Sequence, residues 1–268
     1  DRAIKYLNSV LDEVAGFGEI LQLIVIEVIK KVWRQDTVSG SQRVRYMKAL
    51  FTLLSSGGRE QGSGAVQYES ALCLVQLSSA PTAIHQAALA LIRLLCTQSD
   101  NNVKMIVLDR LTDIKLKYRK TLQELVMDIL RALSSPNLEI RKKTLDIVLD
   151  LITPHNISEV MSVLKKEIHK SQSSEGEGQA TEDAAQYRQL LIRAVHQCAI
   201  KFPEVAGEVV HMLLDQLTTA DPSAAQVVDF VRQVVASYPQ LRGVLVHKLT
   251  TDTLPHVIEP RVCRAVLW

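Results

Sequence analysis

The stretch LQELVMDILRALSSPNLEIRKKTLDIVLDLI, residues 122–152, decides the fold class. Leu122, Leu125, Val126, Ile129, Leu130 and Leu133 recur at the spacing of one helical face. Ser134, Ser135, Pro136 and Asn137 then stop one helix and start the next. On this reading Ser135 caps the orphan N–H groups of the second helix. Pro136 suits its first turn because it has no N–H to lose. Leu138, Leu145, Val148, Leu149 and Ile152 face inward on the second helix, with Arg141, Lys142 and Lys143 outside. A helix pair of this length cannot bury its apolar faces alone and needs neighbours of the same kind. The pattern therefore predicts a repeat array that works through its surface rather than through bond chemistry.

Outward from this pair, helical segments follow one another with short gaps. They are expected at 18–34, 41–55, 65–78, 82–97, 101–116, 119–134, 136–152, 156–170, 185–202, 204–217, 222–237, 239–249 and 256–268. Pro81, Pro136, Pro203, Pro222 and Pro239 each fall at or beside a predicted helix start, and Asp221 stands as an N-cap before Pro222. Asn156 with Glu159 three residues on resembles a capping box. One helix pair follows another every 35–40 residues or so, the period of HEAT or armadillo-like repeats. No alternating run is flanked by hairpin turns, so no sheet is expected. The predicted fold is all-α: one right-handed α-solenoid of HEAT/armadillo-like helix pairs over residues 1–268. Flexible loops are expected at about 55–64 (SSGGREQGSG) and 170–184 (KSQSSEGEGQATED at its start), tolerated insertions at the edge of the array.

Composition agrees. Apolar residues make up 47% of the 268, enough for a continuous core, while aromatics are only 4%, so aliphatic side chains fill the interior. The formal net charge of +2 indicates neither a nucleic-acid nor an acidic partner. No aromatic residues interleave with the basic runs as stacking platforms, which disfavours single-stranded nucleic acid. Cys73, Cys96, Cys198 and Cys263 form no CxxC pair, and three lie on predicted apolar helical faces. They are expected to be reduced core thiols of a cytosolic protein. The segment ILQLIVIEVIKKVW, residues 20–33, is too short and too charged to span a bilayer. The chain opens on Asp1 without a secretory signal and closes on Trp268 within an apparent helix, as a cut from a longer polypeptide would.

No catalytic constellation emerges. The histidines at 85, 155, 169, 196, 211, 247 and 256 form no HxxxH or HExxH, and none joins a cysteine at zinc spacing. His196 and Cys198, two residues apart on a helix, point about 200° apart. No phosphate-binding glycine loop and no GxSxG elbow occurs. Asp109 with Asp113 and Asp146 with Asp150 are i,i+4 acidic pairs, better explained as solvated helix faces paired with Arg110, Lys142 and Lys143 than as a cation site. No catalytic, cofactor-binding or metal residue is assigned, and no cofactor is expected. Three basic runs remain: Lys115, Lys117, Arg119 and Lys120; Arg141, Lys142 and Lys143; Lys165 and Lys166. They suit solvated outer faces better than a strip for anionic headgroups or an acidic partner. Packing adds two expectations: Leu149→Asp severely destabilising, and Arg141→Ala within about 0.5 kcal/mol of the parent.

Several segments together resemble the trunks of the adaptin/coatomer large-subunit family. They are FGEILQLIVIEVIKKV (17–32), VQYESALCLVQLSSAPTAI (66–84), SDNNVKMIVLDRL (99–111), residues 122–152, VLKKEI (163–168) and YRQLLIR (187–193). The likeness weakens after Phe202, where YPQLRGVLV and RVCRAVLW still match. The acidic insert and the glycine-rich turn depart from the family pattern. The resemblance implies a non-catalytic subunit of the COPI vesicle coat, cytoplasmic and peripheral on Golgi membranes and vesicles. It would scaffold coat assembly for Golgi-to-ER retrograde and intra-Golgi transport. The implied partners are other coatomer subunits, delta most directly, with gamma and zeta in the same subcomplex. An ARF-class small GTPase would bind the first trunk helices, which this middle part of the trunk would lack. Periodicity alone also fits a HEAT scaffold of nuclear transport or of a phosphatase, and a helical appendage to a catalytic domain elsewhere.

Overall fold

A computed structural model of the chain describes residues 2–34, 39–56, 63–173, 180–216, 224–253 and 263–264. The described residues contain helices and turns and no strand. The chain divides into two compact units, Asp1–Ile140 and Arg141–Trp268.

In the first unit α1 (Arg2–Val10) leads through a 3-10 segment (Leu11–Gly16) into α2 (Glu19–Trp33) and α3 (Gly40–Ser56). Next come α4 (Gly64–Leu77), α5 (Pro81–Thr97) and α6 (Asn101–Lys117), then the short α7 (Arg119–Gln123), α8 (Val126–Leu130) and a 3-10 turn (Arg131–Ser134). Consecutive helices pack, α3 on α4, α4 on α5 and α5 on α6, and helices two apart pack as well, α2 on α4 and α3 on α5. That double neighbourhood is what stacked helix pairs produce. Connections are short, residues 78–80 and 98–100, and their ends are satisfied locally. Asp100 Oδ1 accepts from the Asn102 N–H at 2.8 Å, Ser63 Oγ accepts from the Ala65 N–H at 3.1 Å, and Pro81 opens α5. Leu50, Leu53, Leu74, Ile84, Leu91, Leu108 and Leu111 are fully buried. Each such side chain contributes roughly 1.5–3 kcal/mol. Ala83, Ala87, Ala88 and Ala90 on α5 are buried too, and their small side chains let the flanking helices approach.

α9 (Leu138–Leu151) crosses the division. The second unit continues with α10 (Ile157–Ser173), α11 (Ala180–Lys201), α12 (Pro203–Gln216) and α13 (Ala224–Ser237). It ends in a 3-10 turn (Pro239–Leu241), α14 (Arg242–Lys248) and a π-helical turn (Leu249–Thr253). Here α11 packs on α10, α12 and α13, around Leu164, Leu191, Val195, Val209, Leu213 and Val227.

Several boundaries differ from those expected. The helix expected at 119–134 is broken. Leu125, at φ −102° and ψ 7°, donates its N–H to the Leu122 carbonyl in a tightened turn of 3.0 Å. Nothing in the local propensities marks this break; α5 packs against both α7 and the 3-10 turn, and tertiary packing overrides the intrinsic preference. The six apolar residues named there, from Leu122 to Leu133, are all buried as expected.

The cap of α9 is Asn137, whose Oδ1 accepts from the N–H groups of Glu139 at 2.9 Å and Ile140 at 3.1 Å. Ser135 is therefore not the cap, and Pro136 stands before the helix rather than in its first turn. The inward face of α9 is also broader than expected, and it extends past the expected stripe on one side. Leu145, Val148 and Ile152 of the expected face are buried, and so are Ile140, Thr144, Ile147 and Leu151, whereas Leu138 and Leu149 are half-buried at the margin. Asn156 does not complete a capping box: its Oδ1 turns back to accept from the Thr153 N–H at 2.8 Å.

Helix α1 and its 3-10 continuation were not expected, although Leu7, Leu11 and Val14 carry helical spacing and are all buried. Residues at both ends of the two expected loops are helical, since α10 runs to Ser173, α11 begins at Ala180, α3 ends at Ser56 and α4 begins at Gly64. The remainder of those loops, the Asp221–Pro222 start and most of the expected helix 256–268 lie outside the described residues.

Candidate interaction surfaces

The polar side chains singled out from the sequence do not converge. Asp113 is engaged by Arg110 Nη1 at 3.0 Å, and Arg110 Nε also donates to the Tyr68 hydroxyl at 3.2 Å. Asp146 and Asp150 are exposed. Among the described residues no three His, Cys, Asp or Glu side chains are placed to hold a metal ion. No described helix is long and apolar enough to cross a membrane.

His196 is buried on α11, its ring stacked on Phe230 of α13 at 4.1 Å and 11°. Burial pulls its pKa below the usual imidazole value. His211 and His247 line one open hollow of about 530 Å³ with Gly243, Val244 and Lys248. Lys248 Nζ there is already held by Asp215 Oδ1 at 2.8 Å and by the His211 carbonyl at 3.1 Å. His256 lies outside the described residues.

Two of the four cysteines, Cys73 and Cys198, are buried, and burial pushes each thiol up to about 12. Cys96, expected with the others as a core thiol, is instead exposed near the end of α5, and Cys263 is half-buried.

The basic runs divide. In the second unit they are partly consumed by structure. The Arg141 guanidinium lies 4.1 Å over the Tyr187 ring, and Lys165 pairs with Glu208 of α12. The Tyr187 hydroxyl donates to Glu167 Oε2 at 3.3 Å, and Lys170 Nζ holds the other oxygen of Glu167 at 2.6 Å. Burial and the Glu167 charge push the Tyr187 phenol upward. This tie between α9, α10 and α11 has no sequence signature, because its members are 26 and 46 residues apart when counted from Arg141 to Glu167 and to Tyr187 (167 − 141 and 187 − 141).

In the first unit the basic residues gather at one edge. Glu19 at the start of α2 accepts from Ser63 at the start of α4 at 2.6 Å, and Lys30 reaches Glu69 at 2.6 Å, so α2 and α4 run in parallel. The Arg110–Tyr68 contact and the Tyr118 hydroxyl, which donates to Ser79 Oγ at 3.4 Å, make α4 and α6 parallel too. The C-terminal ends of α2, α4 and α6 therefore lie along one edge, joined by the start of α3, where Arg43 stands 5.5 Å over the Trp33 ring. Arg34, Arg43, Lys117, Arg119 and Lys120 are exposed there. So are two apolar side chains, Val44 at 69% and Leu116 at 78%.

Known proteins supply the context. Residues 2–268 match the model of the adaptin N terminal region. Coatomer subunit beta of Dictyostelium discoideum is 51% identical over the whole of this chain and 28% of its own length. Coatomer subunit beta-2 of Arabidopsis thaliana is 48% identical over 27% of its length. Coatomer subunit beta of Rattus norvegicus is 42% identical, also over 27%. The chain thus spans about a quarter of the curated relatives it matches. A homology model of the full-length AP-3 complex in an intermediate open conformation aligns with 96% of this chain and 45% of its own, at 14% identity. Its TM-score is only 0.48, so the fold assignment stands on the helix packing and the family match instead. The paired helices, their stacking and the match over nearly every residue agree: this α-solenoid of HEAT-like repeats belongs to the adaptin N-terminal region family.

Proposed function

We propose that the chain is a stretch of the trunk of a coatomer beta subunit, a non-catalytic scaffold of the COPI vesicle coat. One observation carries this: identity of 42–51% to coatomer beta subunits extends over the whole of the chain. The physical role follows from the architecture. Each repeat touches only its neighbours, so an array presents a long surface to other subunits and yields by small changes per repeat.

On this reading the direct partners are other coatomer subunits, delta first, with gamma and zeta in the same subcomplex. An ARF-class GTPase binds trunk residues outside these 268. The assembled coat sits peripherally on Golgi membranes and COPI vesicles and serves Golgi-to-ER and intra-Golgi transport. The whole chain, residues 1–268, acts as one segment of that trunk.

Affinity capture of the tagged full-length protein that carries this chain, with mass spectrometry of what co-purifies, tests the reading. Recovery of the other coatomer subunits in near-equal amounts is the expected result. Recovery of karyopherin cargo, of phosphatase subunits, or of no partner at all overturns it.

A further inference from the structure

We infer that one ordered internal water bridges Tyr46 and Asn8 and completes the seam between α3 and the segment formed by α1 and its 3-10 continuation. The sequence builds two stripes into that segment. Leu7, Leu11 and Val14 are buried and make its apolar side. Asn8 and Asp12, four residues on, make a polar side next to it. Arg45 of α3 spans the polar side: its Nη2 donates to the Asn8 carbonyl at 3.3 Å and to Asp12 Oδ2 at 2.9 Å. The 3-10 segment packs directly on α3.

Two buried polar atoms in this seam have opposite needs. Tyr46 follows Arg45 on α3 and is wholly buried, yet its hydroxyl finds no acceptor among the described residues. Asn8 Oδ1 is buried as well and finds no donor there. Burial pushes the Tyr46 phenol up, and the Arg45 charge acts on it in the opposite sense. The phenol thus lies within the field of the guanidinium that also holds the Asn8 carbonyl. A buried hydroxyl or amide oxygen left unmatched costs more than a made hydrogen bond returns, so such groups are satisfied by protein or by water.

The chemistry of the pair selects the ligand. A water donates to Asn8 Oδ1 and accepts from the Tyr46 hydroxyl, and a buried water takes about two to four polar partners. Turning the Asn8 amide over changes the demand but not the answer, since its NH2 group then needs an acceptor that a water also supplies. A cation would meet the Arg45 charge. An anion would find one neutral hydroxyl as donor, with the Asp12 carboxylate already on Arg45. Immobilising one water costs less than leaving both groups bare.

The bridge is independent of the coat assignment. A double-mutant cycle on the 268-residue chain tests it, with Tyr46→Phe, Asn8→Ala and the two together, each read by urea unfolding. Phe fills the space of the Tyr46 ring, so the single variant removes the hydroxyl and little else. With a shared water each single variant strips the other group of its partner, and both lose stability. The two together then lose less than the sum, by roughly 5-fold or more in the unfolding constant. Tyr46→Phe combined with Asn137→Ala, at the cap of α9, serves as the control and is expected to be additive. A crystal structure that resolves ordered solvent is expected to show the water within hydrogen-bond distance of both Tyr46 Oη and the Asn8 amide. The inference fails if Tyr46→Phe is as stable as the parent, or if Tyr46→Phe and Asn8→Ala are additive. It also fails if the crystal shows a direct Tyr46–Asn8 bond or a dry contact at that place.

Discussion

The Arg141 guanidinium lies 4.1 Å above the ring of Tyr187, and the Tyr187 hydroxyl donates to Glu167. Tyr187 is almost wholly buried and Arg141 half-buried, so the contact is largely shielded from water. A residue that sequence pattern places on a solvated face is thus part of a three-helix tie. A cation over an aromatic face contributes about 0.5–1 kcal/mol when exposed and about 2 when desolvated. Arg141→Ala is therefore expected to cost about 1 kcal/mol, more than the limit the solvated reading allows. Urea unfolding followed by circular dichroism measures it. Arg141→Lys should recover part of the loss, and an alanine variant with the parent's midpoint would show that the stack contributes nothing.

Helix α9 distinguishes the expected face from the observed one at its margin. Its sequence-based face names Leu149, but the fold buries Ile147 and Leu151 and leaves Leu149 at the flank. Leu151→Asp is expected to cost more than about 4 kcal/mol, because an unpartnered charge enters the core. Leu149→Asp is expected to cost only about 1–2 kcal/mol, since its carboxylate can turn to water. Thermal melts of the two variants side by side decide the register; the reverse order would restore the sequence-based face.

The cap of the same helix gives a gentler test. Asn137→Ala removes an acceptor shared by two backbone N–H groups and should cost about 1 kcal/mol. Ser135→Ala should cost less than Asn137→Ala, since the N–H groups of Glu139 and Ile140 are held by Asn137. Equal losses from the two substitutions would place the cap elsewhere.

These corrections mark where legibility ends. The period of Leu122, Leu125, Val126, Ile129, Leu130 and Leu133 survives intact, because burial of an apolar stripe is a local property of the helix. Which residues of α9 face inward depends instead on the neighbours that cover it, and five apolar candidates spread over a wide arc leave that choice open. Ser135 and Asn137 are both good caps by type, and only the backbone path between them chooses Asn137. The broken helix at Leu125 is set by contact with α5, which local propensity does not encode. The basic edge shows the same division. KLKYRK is visible as a run, but Arg34 and Arg43 join it only through the parallel packing of α2, α4 and α6. Helix α1 is the opposite case: Leu7, Leu11 and Val14 were there to be read.

The cysteines differ enough to be told apart chemically. Cys73 and Cys198 are buried with thiols pushed up to about 12, so only about one in 10⁴ is thiolate at pH 8, and the reagent has no path to it. Cys96 is exposed, although burial of its surroundings also raises its thiol. Native alkylation with iodoacetamide at pH 8, read by peptide mass spectrometry, should modify Cys96 well ahead of Cys73 and Cys198. The buried pair should react only in denaturant. Modification of Cys198 at the rate of Cys96 under native conditions would mean that the α11 core opens far more readily than its packing implies.

His196 makes the second unit sensitive to acid, and the sign follows from its burial. Stacked on Phe230 and desolvated, the folded imidazole holds a pKa below its unfolded value of about 6.5. The unfolded chain then takes up a proton that the folded chain refuses. Stability is complete above the unfolded value and is lost as pH falls through about 6.5 toward the lower folded pKa. Carboxylates titrate further down and act on parent and variant alike. The urea midpoint of the parent should therefore drop more between pH 7.5 and pH 5.5 than that of His196→Gln, whatever the variant's stability at pH 7.5. Parallel losses in the two proteins would mean that water reaches the imidazole and that the stack leaves it free to charge.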